Sequence, residues 1–172
     1  DWSSDVCSSD LALFEFQLQN GAGFEIFRDT FFERLDAPFR IRQGIPKRPN
    51  ITIPAGAYHF DHWVFEANSD PSRMFSGDMS LHTGEFYDGT TNQLVVNGNF
   101  RPYYHLLVSN RYSYNGVDLK EGSFKTHLFR TRVDYYLTTR ALFNAFVQYN
   151  SDRKQVTSNI RFNFIHRPLS DF

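Results

Sequence analysis

From Ala12 onward, apolar and polar residues alternate with a period of two, the period of an extended strand whose two faces meet different solvents. Ala12, Phe14, Phe16 and Leu18 alternate with Leu13, Glu15, Gln17 and Gln19, and Asn20-Gly21-Ala22-Gly23 then predicts a short turn. A second strand is expected from Phe24 to about Phe32, with a less regular pattern. Residues 33–56 hold Pro38, Pro46, Pro49 and Pro54 together with the basic run RQGIPKRP. Proline cannot donate to a strand ladder, so this stretch predicts a long loop, with Arg42 to Arg48 a solvated part of it. The strand pattern resumes near Ala57, where Trp63, Phe65 and Ala67 share a face, and residues 68–72 form the next turn. Phe75, Gly77, Met79 and Leu81 then oppose Ser76, Asp78, Ser80 and His82.

A loop is expected at GEFYDGTTN (residues 84–92), followed by Leu94, Val96, Gly98 and Phe100 on one face and a tight turn at residues 101–103. Leu106, Val108, Tyr112 and Tyr114 make the next apolar face, and NGVDLKEGS (115–123) the next loop. Phe129, Thr131, Val133, Tyr135 and Leu137 alternate with Arg130, Arg132, Asp134 and Tyr136 before a turn at residues 138–140. Ala141, Phe143, Ala145, Val147 and Tyr149 oppose Asn144, Gln148 and Asn150. After Ser151 to Lys154, the last strand sets Val156, Ile160, Phe162 and Phe164 against Asn159, Arg161 and Asn163. The count is about nine strands, most near the 9 to 11 residues a tilted membrane strand needs. Tight connections after the odd strands alternate with longer or more polar ones after the even strands, as in an up-and-down membrane barrel. Residues 167–171 read as one more turn, and Phe172 as the start of a further strand.

The same alternation fits a soluble sandwich or a lipocalin-like barrel. Three features favour the membrane: long strands in sequential hairpins, charges of both signs on the polar face, and rings near strand ends such as Tyr103, Tyr114, Tyr136 and Tyr149. Composition agrees. The chain carries 19 Phe and 9 Tyr, yet no apolar run approaches the ~20 residues of a spanning helix. The fold expected is thus an all-β, antiparallel up-and-down transmembrane β-barrel in the bacterial outer membrane, an incomplete fragment truncated at both ends. Residues 1–11, DWSSDVCSSDL, match a forward translation of a short-read sequencing adapter and are set aside as artefactual, leaving 12–172 as the partial barrel domain. Setting them aside removes Cys7, the single cysteine, and moves the formal net charge from −1 to +2 through loss of Asp1, Asp5 and Asp10. No strong field then recruits nucleic acid.

In the barrel reading Arg111, Arg130, Arg132, Asp134, Asn144, Gln148, Arg161 and Asn163 line the interior and are the candidate binding residues. Glu85, Tyr87 and Asp88 mix carboxylates with a ring in a presumed outer loop, a composition able to contact sugars or ions, although Asp88-Gly89 is also a turn signal. His59-Phe60-Asp61-His62 is the most ligand-like cluster, but a closed metal site needs three or four converging ligands, and no second cluster has that spacing. Asp78 and His82 share a face as part of a polar lining. No phosphate-cradling loop, nucleophile elbow or zinc-protease motif is present, so no catalytic residue, cofactor or metal is assigned.

The segments NSDPSRMFSG (68–77), GEFYDG (84–89), VDLKEGSFKTHLFRTRVDYYLTTR (117–140), FVQYNSD (146–152) and RFNFIHRPLSDF (161–172) resemble a known family. It is the C-terminal barrel domain, of unknown function, of large bacterial surface proteins that carry an N-terminal carbohydrate-binding module similar to family 9. The resemblance implies outer-membrane lipid as a partner, glycans reached through such a module, and at least one strand beyond Asp171. The function expected is a non-enzymatic membrane domain that anchors the glycan-binding module or passes solute. The alternative is part of a surface or periplasmic carbohydrate-active hydrolase using Glu85 and Asp88, whose carboxyl groups would need to lie about 5 to 5.5 Å apart for a retaining mechanism or about 6.5 to 9.5 Å for an inverting one.

Overall fold

A computed structural model describes residues 6–42 and 50–164. Eleven strands make it up: β1 (Val6–Gln17), β2 (Gly23–Leu35), β3 (Phe39–Arg42), β4 (Ile51–Ile53), β5 (Gly56–Asn68), β6 (Phe75–Phe86), β7 (Gly89–Tyr103), β8 (Leu106–Leu119), β9 (Gly122–Thr138), β10 (Ala141–Asn150) and β11 (Gln155–Phe164). Nine form one sheet in the order β1-β2-β5-β6-β7-β8-β9-β10-β11, and β3 and β4 pair separately. Every pairing is antiparallel. Among the described residues there is no helix, and neither sheet closes on itself. The nine strands of the large sheet and their sequential order are those the alternation predicts. β1 extends back to Val6, and its register with β2 slips between Ala12 and Phe14, close to the boundary drawn at residue 11.

Three expected loops are corrected. GEFYDGTTN and NGVDLKEGS are mostly strand, since β6 runs to Phe86 and β7 starts at Gly89, while β8 runs to Leu119 and β9 starts at Gly122. The turns shrink to Tyr87-Asp88, with Tyr87 left-handed at φ 51°, and Lys120-Glu121. Thr90 and Asn92 point to one face while Thr91 and Gln93 point to the other, so polarity cannot mark the strand. Backbone pairing forms it anyway. The asymmetry between the two ends therefore lies in strand length more than in loops: β7, β8 and β9 have 15, 14 and 17 residues, beyond the ~9–11 of a spanning strand. The third correction falls in residues 33–56, where β2 continues to Leu35 and β3 and β4 make a small hairpin. Residues 43–49 of the basic run, and the turn expected at 167–171, lie outside the described residues.

Register makes one face of the sheet apolar across all nine strands. Phe24, Ala67, Met79, Val96, Tyr112, Phe129, Tyr149 and Val156 form one continuous cross-strand row. Phe75, Phe100, Val108, Val133, Ala145 and Ile160 form another. Nothing covers these rows enough to bury them: Phe129, Val147, Phe162 and Ile160 are 46%, 43%, 59% and 70% exposed. Total accessible surface is 12238 Å², against the roughly 8,800 Å² expected of a folded monomer of this mass. Rings stack along the face, as Phe75 and Phe100 do at 4.5 Å. The apolar character ends abruptly at one row, Arg28, Trp63, Thr83, Asn92, Gly116 and Lys125, which adjoins Ile26, Phe65, Leu81, Leu94 and Tyr114.

At the opposite end of the strands, the β1–β2 and β5–β6 turns lie side by side. Gly21 sits at φ +79° and a Cβ there would come within 3.1 Å of the Asp70 Cβ, so only glycine meets both demands. Asp70 accepts a hydrogen bond from the Ser72 backbone N–H at 2.9 Å, and bonds to Ser72 hold its carboxyl below the usual value. Because the folded-state value is the lower one, the stabilisation is complete above about pH 4 and is lost as pH falls through it. Asp70→Asn is accordingly expected to narrow its stability deficit relative to the parent chain as pH drops below about 4, measured as urea midpoints. A deficit constant with pH would show that the charge of Asp70 contributes nothing.

Candidate functional site on the polar face

All eight candidate interior residues fall on the face opposite the apolar rows. Arg111 lies directly across from Arg130, and Arg130 from Gln148, whose Oε1 accepts from Arg130 Nε at 3.0 Å. Arg132 Nε lies 2.9 Å from an oxygen of Asp134, and Asn144 Nδ2 donates to the same carboxylate. Asp134 is thereby buried with its acceptors occupied. Arg161 is registered opposite Asn144, and Asn163 opposite Leu142. A cleft of about 300 Å³ opens among Arg132, Asn144, Phe146, Asn159 and Arg161. Its chemistry is that of a polar lining, with guanidinium donors and amides around a single satisfied carboxylate.

The buried core sits on this face too, toward the end where β7, β8 and β9 are long. Ile51 and Ile53 of β4 are 1% and 0% exposed and pack with Leu35, Val117 and Leu119, with Phe39, Tyr58, Phe86, Tyr87 and Phe124 around them. The hairpin thus spans from β2 and β5 on one flank to β8 and β9 on the other, and the twisted sheet curls about it. Arg42, expected in a solvated loop, is instead 5% exposed. Its guanidinium pairs with Asp152 in the β10–β11 turn and lies 5.1 Å from the Phe124 ring centre. Sequence reasoning missed this residue because its partner is 110 positions away.

The three presumed outer-loop residues separate. Tyr87 joins the apolar cluster and donates to Glu33 Oε2 at 2.7 Å; burial and that carboxylate push its phenol above the ordinary value. Asp88 shares the two-residue turn with it. Glu85 belongs to the apolar side, registered with Thr90, in a groove of about 500 Å³ that also includes Arg28, Asp61, Trp63 and Asn92. The histidine cluster disperses in the same way. His59 lies against Phe32 at 4.6 Å, His62 against Phe31 at 5.1 Å, and Asp61 is held by Arg28 and Thr30. Asp78 accepts from Asn97 at 2.6 Å while His82 meets Ser80 at 2.9 Å, so those two have separate partners. Among the described residues no three His, Cys, Asp or Glu converge as metal ligands.

No family model, curated protein or solved structure matches this chain. The functional reading therefore rests on the two faces and on the hairpin laid across one of them.

Proposed function

We propose that this chain is a segment of an outer-membrane β-barrel, with the uncovered rows facing lipid and the polar face lining the interior. The observation that carries the reading is the apolar surface continuous over nine strands, with exposed large apolar side chains on every one of them but β8, where they are half-buried. An exposed apolar patch of that extent marks a membrane or partner surface rather than a water-facing one. Its boundary row, with Trp63 43% exposed beside Arg28 and Asn92, has the composition of an interfacial girdle. Lipid hydrocarbon would solvate the rows below it, and closure would satisfy the backbone at the two edges, β1 and β11. A closed, wholly antiparallel barrel has an even number of strands, so closure here requires an odd number of strands beyond these nine. Within the bacterial surface proteins that the sequence resembles, such a domain would anchor a glycan-binding module or pass solute.

Depth-dependent fluorescence quenching tests the reading. With Trp2 replaced by Phe, Trp63 is the single tryptophan, and in vesicles of lipids brominated near the headgroup its emission is expected to drop more than with bromines near the chain end. A Val96→Trp, Trp63→Phe, Trp2→Phe chain should show the reverse order. Emission insensitive to bromine at either depth would mean that this face never meets lipid.

A further inference from the structure

Sorting the charged residues of the polar face by strand divides it into two halves. On β1, β2, β5 and β6 this face carries Glu15, Glu25, Asp29, Glu33, Glu66 and Asp78, and no lysine or arginine. On β8, β9, β10 and β11 it carries Arg111, Arg130, Arg132 and Arg161 against Asp134 alone. Between them β7 contributes Gln93, Asn97 and Asn99, with Arg101, past the last registered pair on this face, as its one charge. The division is kept at a cost to the fold, because like charges directly opposite on neighbouring strands are destabilising. Glu25 is registered against both Glu15 and Glu66, and Arg111 against Arg130. The same face mixes signs where pairing serves the fold, as Arg132 and Asp134 show at 2.9 Å. Stability alone would have favoured interleaving throughout.

We infer that, in the barrel proposed above, this face is a charge-segregated conduit whose ligands are small dipolar solutes carrying both an anionic and a cationic group. Curling brings the acidic half to face the basic half, and opposed walls of fixed charge with low-dielectric material behind them focus a field across the space between. A zwitterion aligned with its anion toward the arginines and its cation toward the carboxylates is stabilised at both ends. A neutral sugar gains nothing from the field, and a singly charged ion is attracted by one wall and repelled by the other. The inference rests on the barrel reading, since only closure about the polar face sets the two halves across a shared lumen.

The test uses this chain continued by the strands that close the sheet, refolded into phospholipid vesicles, with insertion scored separately by protease protection and by a heat-dependent shift in gel mobility. In osmotic swelling, dialanine is expected to enter at least threefold faster than a neutral sugar of similar size. Glu25→Gln with Glu66→Gln should abolish that preference and move ion selectivity toward anions, while Arg111→Gln with Arg130→Gln should abolish it and move selectivity toward cations. Failure to insert would remove the barrel reading and this inference with it. Insertion without conductance, equal entry of the two solutes, or both variants moving selectivity in the same direction would leave the barrel standing and overturn the conduit.

Discussion

Replacing Arg42 by Met is expected to cost about 3–5 kcal/mol of the free energy that holds the β3–β4 hairpin on the sheet, the range for removing one partner of a buried ion pair. Asp152 is the reason. Its side chain is 10% exposed, and without the guanidinium it would be left as a buried charge with little water to solvate it. Arg42 also contributes its stem to packing and its charge to the Phe124 ring. The double change Arg42→Met with Asp152→Leu removes both charges and should recover most of the loss, because an apolar pair of similar volume is often as stable as the ion pair it replaces. Hydrogen exchange of the β3 and β4 amides checks this directly. The single variant should exchange these amides far faster than the parent, with the long strands of the large sheet unchanged. Equal protection in parent and single variant would show that Ile51 and Ile53 hold the hairpin unaided.

The second large effect separates the faces using two neighbouring residues of one type. Val96 lies mid-band between Met79 and Tyr112, while Val95 lies on the polar face between Ser80 and Ser113. In a bilayer, Val96→Arg should cost about 2–4 kcal/mol, the penalty for a lipid-facing cation near the midplane. Val95→Arg exchanges a methyl pair for a cation in a polar surrounding, within reach of the acidic half, and should fall within about 0.5 kcal/mol of the parent. Urea unfolding from vesicles measures both. Similar losses in the two variants would remove the distinction between lipid and interior on which the proposed function depends.

How far the sequence could be read depended on whether a strand's two faces meet different solvents. From Phe75 to Leu81 and from Phe129 to Leu137 they do, and both strands were legible from alternation alone. Around Thr90 to Gln93 and Asn115 to Glu121 both faces meet water or the hairpin, alternation fades, and the local pattern of a strand is that of a loop. The second half of the hairpin was hidden for another reason. Ile51-Thr52-Ile53 is a three-residue strand between prolines, too short to show a period, and its burial depends on Val117 and Leu119 more than sixty positions away. The charge division was latent in the sequence: the acids precede β7 and the arginines follow it, and parity assigns each to a face. Its meaning needed the register, which shows Glu25 flanked by two carboxylates and Arg111 facing Arg130.

By itself, then, the sequence determined the class of structure, the order of the large sheet's strands and the allocation of eight candidate residues to one face, because side-chain direction in a strand is set locally, residue by residue. What only the tertiary structure decided was what lies across that face. The burial of Arg42 against Asp152, the capture of Tyr87 by Glu33 and the enclosure of Ile51 and Ile53 all join segments far apart in the chain. Contacts of that kind follow from how the sheet curls and where the hairpin lands, and no local pattern encodes either.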